Sequence, residues 1–456
     1  MKVLKILLIF LLAFTLMNLV LACTPTNTPI NDGELAYEQV GETYTVVGVG
    51  TYQGTDIVIP AEYNGKAVTA IGNLAFSGCS DLTSITIPDS VTSIGRFAFR
   101  SCTGLTSITI PDSVTSIKSL AFSGCTGLIS IHIPDSVTII DYGTFSDCTA
   151  LKNIIIPDSV TLIGENAFRN CTSLTNIVIP NGVTSIRSSA FSGCSALTSI
   201  SIPDSVTLIG SEAFSRCSAL TSISLPGRVT AINEKTFEAC FALKSIVIPD
   251  SVTTIDSNAF HQCTSLTSIS IPNSVTSIGE GAFFRCSGLT TLFISGSVTY
   301  IGDHAFRDCN NLTSIIVEEN NPAYYSQGNC LIQKKRNILI LGCKTSVIPE
   351  EITIIDNRAF CNCADLTSIV IPGGVTKIGM NAFWNCSNLS SVTIPESVTE
   401  ISLLAFSNCS KLTSITFQGT MAQWNAIDKF SEPAWSWNKD TPITVVHCTD
   451  GDVPIK

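Results

Sequence analysis

Ile87-Pro88-Asp89-Ser90-Val91-Thr92-Ser93-Ile94-Gly95, followed by Ala98-Phe99, Cys102 and Leu105-Thr106-Ser107-Ile108-Thr109-Ile110, decides the fold because it keeps returning. With phenylalanine as the marker it recurs at Phe76, Phe99, Phe122, Phe145, Phe168, Phe191, Phe214, Phe237, Phe260, Phe283 and Phe306, then at Phe360, Phe383 and Phe406. Every interval is 23 residues except the one from Phe306 to Phe360, which is 54, two periods plus eight. A chain of 456 residues would ordinarily suggest about three domains of roughly 150 residues each. Fourteen copies in fixed phase leave no room for them.

The unit can be read physically. In Leu105 to Ile110 the apolar residues stand at positions 1, 4 and 6 and β-branched residues dominate, which predicts a short strand with one buried face. Pro111 lacks an N–H and fixes its φ, so it ends the strand and opens a turn at Asp112-Ser113. Val114 and Ile117 point inward from a second extended piece, and in most copies a glycine follows the isoleucine to permit a bend. Ala121, Phe122 and Cys125, at spacings of one and three, predict one short helical turn packing inward. One unit cannot bury so many apolar side chains, whereas stacked units joined by parallel ladder bonds can. About sixteen such turns predict an elongated rod or shallow arc on the order of 75 Å long.

This pattern, over roughly residues 35 to 450, resembles the BspA-type leucine-rich repeat of bacterial surface antigens. The residues that carry it are the Ile-Pro-Asp-Ser-Val-Thr-x-Ile-Gly, Ala-Phe-x-x-Cys and Leu-Thr-Ser-Ile runs. The resemblance implies a leucine-rich-repeat solenoid, β-rich, with parallel stacked strands and short helical or 3-10 turns. It implies a surface-displayed protein that binds a host or neighbouring-cell protein or glycan, without enzymatic activity. The family's motif is a core motif, so it identifies no ligand and no binding residue.

The organisation follows. Residues 1–22 read as a signal peptide, with Lys2 and Lys5 ahead of the apolar run Ile6 to Ala22. The ending Val20-Leu21-Ala22-Cys23 resembles a bacterial lipobox, which makes Cys23 the lipidated residue and residues 23–34 a flexible tether. A plain secretion signal or an uncleaved N-terminal membrane anchor is the alternative, and with a plain signal the protein is secreted rather than anchored at the cell surface or outer membrane. Residues 35–75 form an N-terminal cap and the entry to the first repeat, 76–317 and 349–417 the regular array, and 418–456 a C-terminal cap. The last carries Trp424, Trp435 and Trp437, read as a structural cap or as a platform for sugar. Residues 318–348 are a degenerate repeat that predicts a protruding hairpin, with Asn320-Asn321-Pro322, Tyr324-Tyr325 and Lys334-Lys335-Arg336-Asn337 between apolar runs, read as an irregular repeat that changes the curvature or as a ligand-contacting knob.

Cysteine in an exported protein ordinarily suggests disulfides. Fourteen of the 19 cysteines, however, lie one per repeat, three residues after the inward phenylalanine, which predicts a buried, reduced column. Cys330 with Cys343 is the best disulfide candidate, since the pair flanks the predicted hairpin. Asp89, Asp112, Asp135 and Asp158 form a second column, read as turn caps or, at most, a weak calcium site. No metal or cofactor site is expected beyond that.

A formal charge of −11 argues against nucleic acid, which is gripped by clustered Lys and Arg. The four histidines, His132, His261, His304 and His447, share no phase, and no nucleophile elbow or phosphate loop occurs, so no catalytic residue is assigned. What remains is surface: outward strand positions are mostly Thr and Ser, a hydroxyl-lined face broken by His132, Lys152, Lys244 and Phe293. These four, with Tyr324, Tyr325, Lys334, Lys335 and Arg336 of the degenerate repeat, are the candidate partner-binding residues for an extracellular protein or glycan. The expected membrane contact is through the lipid anchor alone, and the expected state is a monomer. A non-catalytic spacer of the cell envelope is the alternative function.

Overall fold

The computed structural model describes residues 34–429 and 436–455, so the expected signal peptide, the lipidation at Cys23, the tether up to residue 33 and Trp435 lie outside the described residues. The described chain divides into two compact units, one ending at Leu197 and one beginning at Thr198. Both are leucine-rich-repeat solenoid, built of parallel strands in single-copy register.

In the first unit, Ala36–Val40 and Thr43–Gly48 pair antiparallel, and Thr43–Gly48 then lies parallel to Lys66–Ile71. That strand passes the ladder to Ser93–Ile94 and Ser116–Ile117, so an antiparallel start turns into the parallel stack. Ser107–Thr109, Ser130–His132 and Asn153–Ile155 form the longer-strand sheet, with Ile108, Ile131 and Ile154 in one row. The second unit repeats this with Ser199–Ser201, Ser222–Ser224 and Ser245–Val247, and again with Ser268–Ser270, Thr291–Ile294 and Ser314–Val317. Leu105, Ile108, Ile110, Val114, Ile117, Ala121, Phe122 and Cys125 are all buried, the inward set read from the sequence.

The Ala-Phe-x-x-Cys segment departs from the expected helical turn. In all fourteen copies the residues two before and two after the phenylalanine are left-handed, with φ between 53° and 78°. Around Phe99 these are Phe97 and Ser101, and around Phe168 they are Asn166 and Asn170. Between these two left-handed positions successive N–H groups point in opposite directions. Those of Phe97, Phe99 and Ser101 donate to the carbonyls of Ser119, Ala121 and Ser123 in the next coil, at 3.2, 2.7 and 2.8 Å. Those of Ala98, Arg100 and Cys102 turn back to Gly95, Phe97 and Phe99, at 3.3, 3.1 and 3.2 Å. A left-handed non-glycine residue costs about 1–2 kcal/mol. The inter-coil bonds offset that cost, and they stack the rings, with Phe99 and Phe122 centroids 5.2 Å apart and 5° from parallel.

Each core thiol has a partner that sequence spacing did not reveal. Cys102 Sγ donates to the carbonyl of Phe76 at 3.0 Å, Cys125 to Phe99 at 3.0 Å and Cys386 to Phe360 at 3.1 Å. Burial pushes the thiols of Cys386 and Cys194 up, that of Cys194 to about 12, so these two stay protonated and able to donate. All eighteen described cysteines are free, and this includes Cys330 and Cys343, which do not form the expected disulfide. Thiol titration after non-reducing denaturation should therefore recover the fourteen of the column; fewer than about ten would overturn the reduced column.

Glycine after the second strand serves close approach rather than a bend. A Cβ on Gly95 would sit 2.5 Å from the carbonyl carbon of Gly72 in the preceding coil. Hydroxyls stitch the outside: Ser113 Oγ donates to the Val91 carbonyl at 2.7 Å, and Thr92 Oγ1 to Thr69 at 3.2 Å. The serine of Pro-Asp-Ser-Val thus tethers neighbouring coils, while its aspartate faces solvent.

The degenerate repeat is a three-stranded meander rather than one protruding hairpin. Tyr324–Gln327, Cys330–Gln333 and Ile338–Leu341 pair antiparallel in sequence order. Ile338–Leu341 then lies parallel to Ile354–Ile355, which returns the chain to the array. Leu331, Ile332 and Leu339 are fully buried, so the meander belongs to the core. At the other end, the strand Val445–Cys448 continues the sheet and Gly451–Pro454 closes it antiparallel. Trp424, on the short helix Met421–Ala426, and Trp437 are buried. Trp437 meets Phe406 edge-on at 6.1 Å and its carbonyl accepts the Phe406 N–H at 2.8 Å, so it covers the last ring of the column. No described helix is long and apolar enough to cross a membrane.

Candidate docking surfaces

Parallel single-copy register puts the third residue of each short strand in one outward column. In the first unit that column runs Thr109, His132, Ile155, Val178, and in the second Val247, Ser270, Phe293, Ile316 along its central coils. Ile155 and Val178 are 73% and 68% exposed, Val247 80%, and Phe293 and Ile316 37% and 44%. Beside Val247 and Phe293 lies a groove of about 640 Å³, floored by Ser270 and bordered by the turn residues Asp250 and Asn273. In each unit the face is therefore a hydroxyl field carrying apolar islands. That of the first unit holds His132, with Lys152 exposed at an adjoining strand entry, and that of the second holds Phe293, with Lys244 exposed at its own.

Sequence reading missed Ile155, Val178, Val247 and Ile316. In Ile154-Ile155-Ile156 the middle residue hides among inward neighbours, and only strict alternation marks it as outward.

The residues from the meander separate. Lys334, Lys335 and Arg336 are exposed at the turn between Cys330–Gln333 and Ile338–Leu341, with Lys334 Nζ donating to the Asn321 carbonyl at 2.5 Å. Tyr325 is half-buried, its hydroxyl donating to Glu351 Oε1 at 3.4 Å, and burial with that carboxylate pushes it up to about 12. Tyr324 is corrected outright: it is buried, with its hydroxyl accepting the Ile301 N–H at 3.0 Å, and the expected surface contact through it does not exist. Its chain partner Asn321 sets the aromatic inward, donating from Nδ2 to Ser295 and Val298 carbonyls at 2.8 and 2.9 Å.

Coils stacked through parallel ladders, with one phenylalanine rung per coil, define the class as a leucine-rich-repeat solenoid. Residues 69–198, 138–267, 230–333 and 341–429 match the BspA-type leucine-rich repeat region, so the chain belongs to that family. A crystal structure of a leucine-rich repeat protein from Bacteroides ovatus is 28% identical, covers 88% of this chain and 97% of its own, and superposes with a TM-score of 0.64. A leucine rich cell surface protein from Faecalibacterium prausnitzii is 32% identical over 90% of this chain and 99% of its own, with a TM-score of 0.47. No curated protein matches the chain.

Proposed function

We propose that this protein is displayed on the bacterial surface, anchored through Cys23, and binds an extracellular protein of the host or of a neighbouring cell. The reading rests on family membership and on the outward strand column. Its carrying observation is the row of exposed Val247, Phe293 and Ile316 on a face otherwise made of Ser and Thr. Apolar side chains in solvent on a rigid ladder suit the desolvated centre of a protein interface, with hydroxyls as its rim. A glycan platform is less favoured, because Trp424 and Trp437 are buried against Phe417 and Phe406.

Mature protein should bind immobilised extracellular-matrix or cell-surface proteins saturably, and Val247→Lys with Phe293→Lys should weaken that binding by at least about tenfold. Both side chains are outward, so the variant should melt like the parent. Undiminished binding would move the site to the Lys334–Arg336 turn, and the absence of saturable binding would favour the envelope spacer. Fatty-acid labelling should be lost in Cys23→Ala; a variant that still takes up label would refute the anchor.

A further inference from the structure

The break in the array leaves one turn without its successor. In every other described turn of the second unit whose following coil is described, the N–H groups at the phenylalanine and two residues to either side donate to the next coil. Gly281, Phe283 and Arg285, for example, reach Asp303, Ala305 and Arg307 at 2.9, 2.7 and 2.9 Å. The equivalent N–H groups of His304, Phe306 and Asp308 have no hydrogen-bond partner among the described residues. The meander supplies no Ala-Phe turn there. Only Gly342 stands in, its N–H donating to the Ala359 carbonyl at 2.8 Å, and it is packed so tightly on Phe360 that a Cβ would lie 2.0 Å from the ring.

The missing turn is replaced by a cavity of about 440 Å³. Two side-chain bridges span it or its rim: Arg358 Nη1 donates to His304 Nε2 at 2.7 Å, and Asn362 Nδ2 donates to Asp308 Oδ1 at 2.6 Å. Burial and the guanidinium groups of Arg358 and Arg307 hold His304 below the usual imidazole range, which keeps it neutral as that acceptor. Arg358 Nε is buried with no hydrogen-bond partner, and Arg307 Nε has only the 3.5 Å approach of Asp308. By analogy with the preceding turn, where the N–H groups of Gly281, Phe283 and Arg285 all face the following coil, those of His304, Phe306 and Asp308 face the gap and present open donors to an acceptor there. The same cavity is lined by Asp303 and Asp356, so its two guanidinium charges are balanced and a dianion is disfavoured.

From this juxtaposition we propose that the gap is a binding site for an α-amino-acid unit, free or at the C-terminus of a short peptide. The carboxylate takes the place of the missing carbonyls on the N–H groups of His304 and Phe306 beside Arg358, and a cationic or N–H group faces Asp303 and Asp356. A cavity of this volume holds one residue and part of a second, with Ile340 and Tyr324 as its apolar wall.

Hydrogen exchange on the full chain tests this. Without ligand, the amides of His304, Phe306 and Asp308 should exchange faster than those of Gly281, Phe283 and Arg285. Alanyl-alanine or free alanine should slow those of His304 and Phe306, whereas glucuronate and inorganic phosphate should not, and free alanine against dipeptide separates the two sources. Arg358→Met should weaken binding by about tenfold or more. Should that variant fail to fold, Asp356→Asn should weaken dipeptide binding while leaving the melting temperature within a few degrees. Equal protection by glucuronate would overturn the amino-acid assignment. Protection by phosphate alone, no protection by any of the four, or unchanged dipeptide affinity in both variants would overturn the site.

Discussion

Replacing Phe168 by alanine should destabilise its unit by about 3–5 kcal/mol, the range for removing one buried aromatic. The ring is fully buried between Phe145 at 5.5 Å and Phe191 at 5.3 Å, nearly parallel to both. In an ordinary core, neighbours relax into part of the void. Here they are held apart by backbone: the Phe168 N–H donates to Ala190 at 2.8 Å, and its carbonyl accepts the Cys194 thiol at 3.1 Å. None of those bonds is lost in the alanine variant, so coil spacing persists and the cavity stays open. Phe168→Leu, which fills most of the space, should cost about 1–2 kcal/mol. Phe306→Ala should also cost less than Phe168→Ala, because Phe306 has a ring neighbour on one side only, Phe283 at 5.3 Å. Urea unfolding checks the series. A loss under about 1 kcal/mol for Phe168→Ala, or equal losses at the two phenylalanines, would mean that the stacked rings are not what the coil spacing protects.

The period carried most of the fold. Leu, Ile, Val, Phe and Cys fall inward where spacing put them, since a repeat that must bury the same side chains in every copy advertises them in every copy. Backbone handedness was not legible. Left-handed positions are filled by Phe97, Leu120, Glu212, Lys235 and Arg358 as well as Asn and Gly, so no residue type marks them, and only inter-coil bonding enforces them. The thiol to carbonyl bonds stayed hidden for a similar reason, because the acceptor is 26 residues back and the spacing of cysteines alone says only that they are buried. The candidate surface was legible in part. Residues that break a Ser/Thr pattern with charge or an aromatic, such as His132 and Lys244, stand out in a sequence, whereas Ile155 and Val247 read as more core. Within the degenerate repeat the periodic signal is lost, and there the sequence could not separate Tyr324, which is buried, from Tyr325, which is partly open.

That same repeat holds the second large effect, because one polar side chain ties its meander to the coil before it. Asn321 is fully buried and uses both ends of its amide. Nδ2 donates to the carbonyls of Ser295 and Val298 in the preceding coil, and Oδ1 accepts the N–H groups of Ala323 at 2.9 Å and Tyr324 at 2.8 Å. Asn321→Leu keeps the branching and the number of heavy atoms and creates no cavity, so its cost comes from the four lost bonds together with crowding by the larger methyl groups. Orphaned buried groups cost about 1–3 kcal/mol each, and with partial rearrangement a total of about 3–5 kcal/mol is expected. Asn321→Asp separates donors from acceptors: it keeps the two accepted bonds, loses the two donated ones and buries a charge. Burial raises that carboxyl in the folded state above its unfolded value, so the folded form prefers the proton. Stability of this variant should accordingly be lowest at neutral pH and above, and should recover as pH falls through the raised folded value, since the protonated acid can again donate. Asn321→Leu should show no such recovery relative to the parent. Urea midpoints at pH 7 and pH 5 distinguish the two: parallel pH dependence for Asp and Leu would mean that the amide donors to Ser295 and Val298 do not hold the meander to the coil before it.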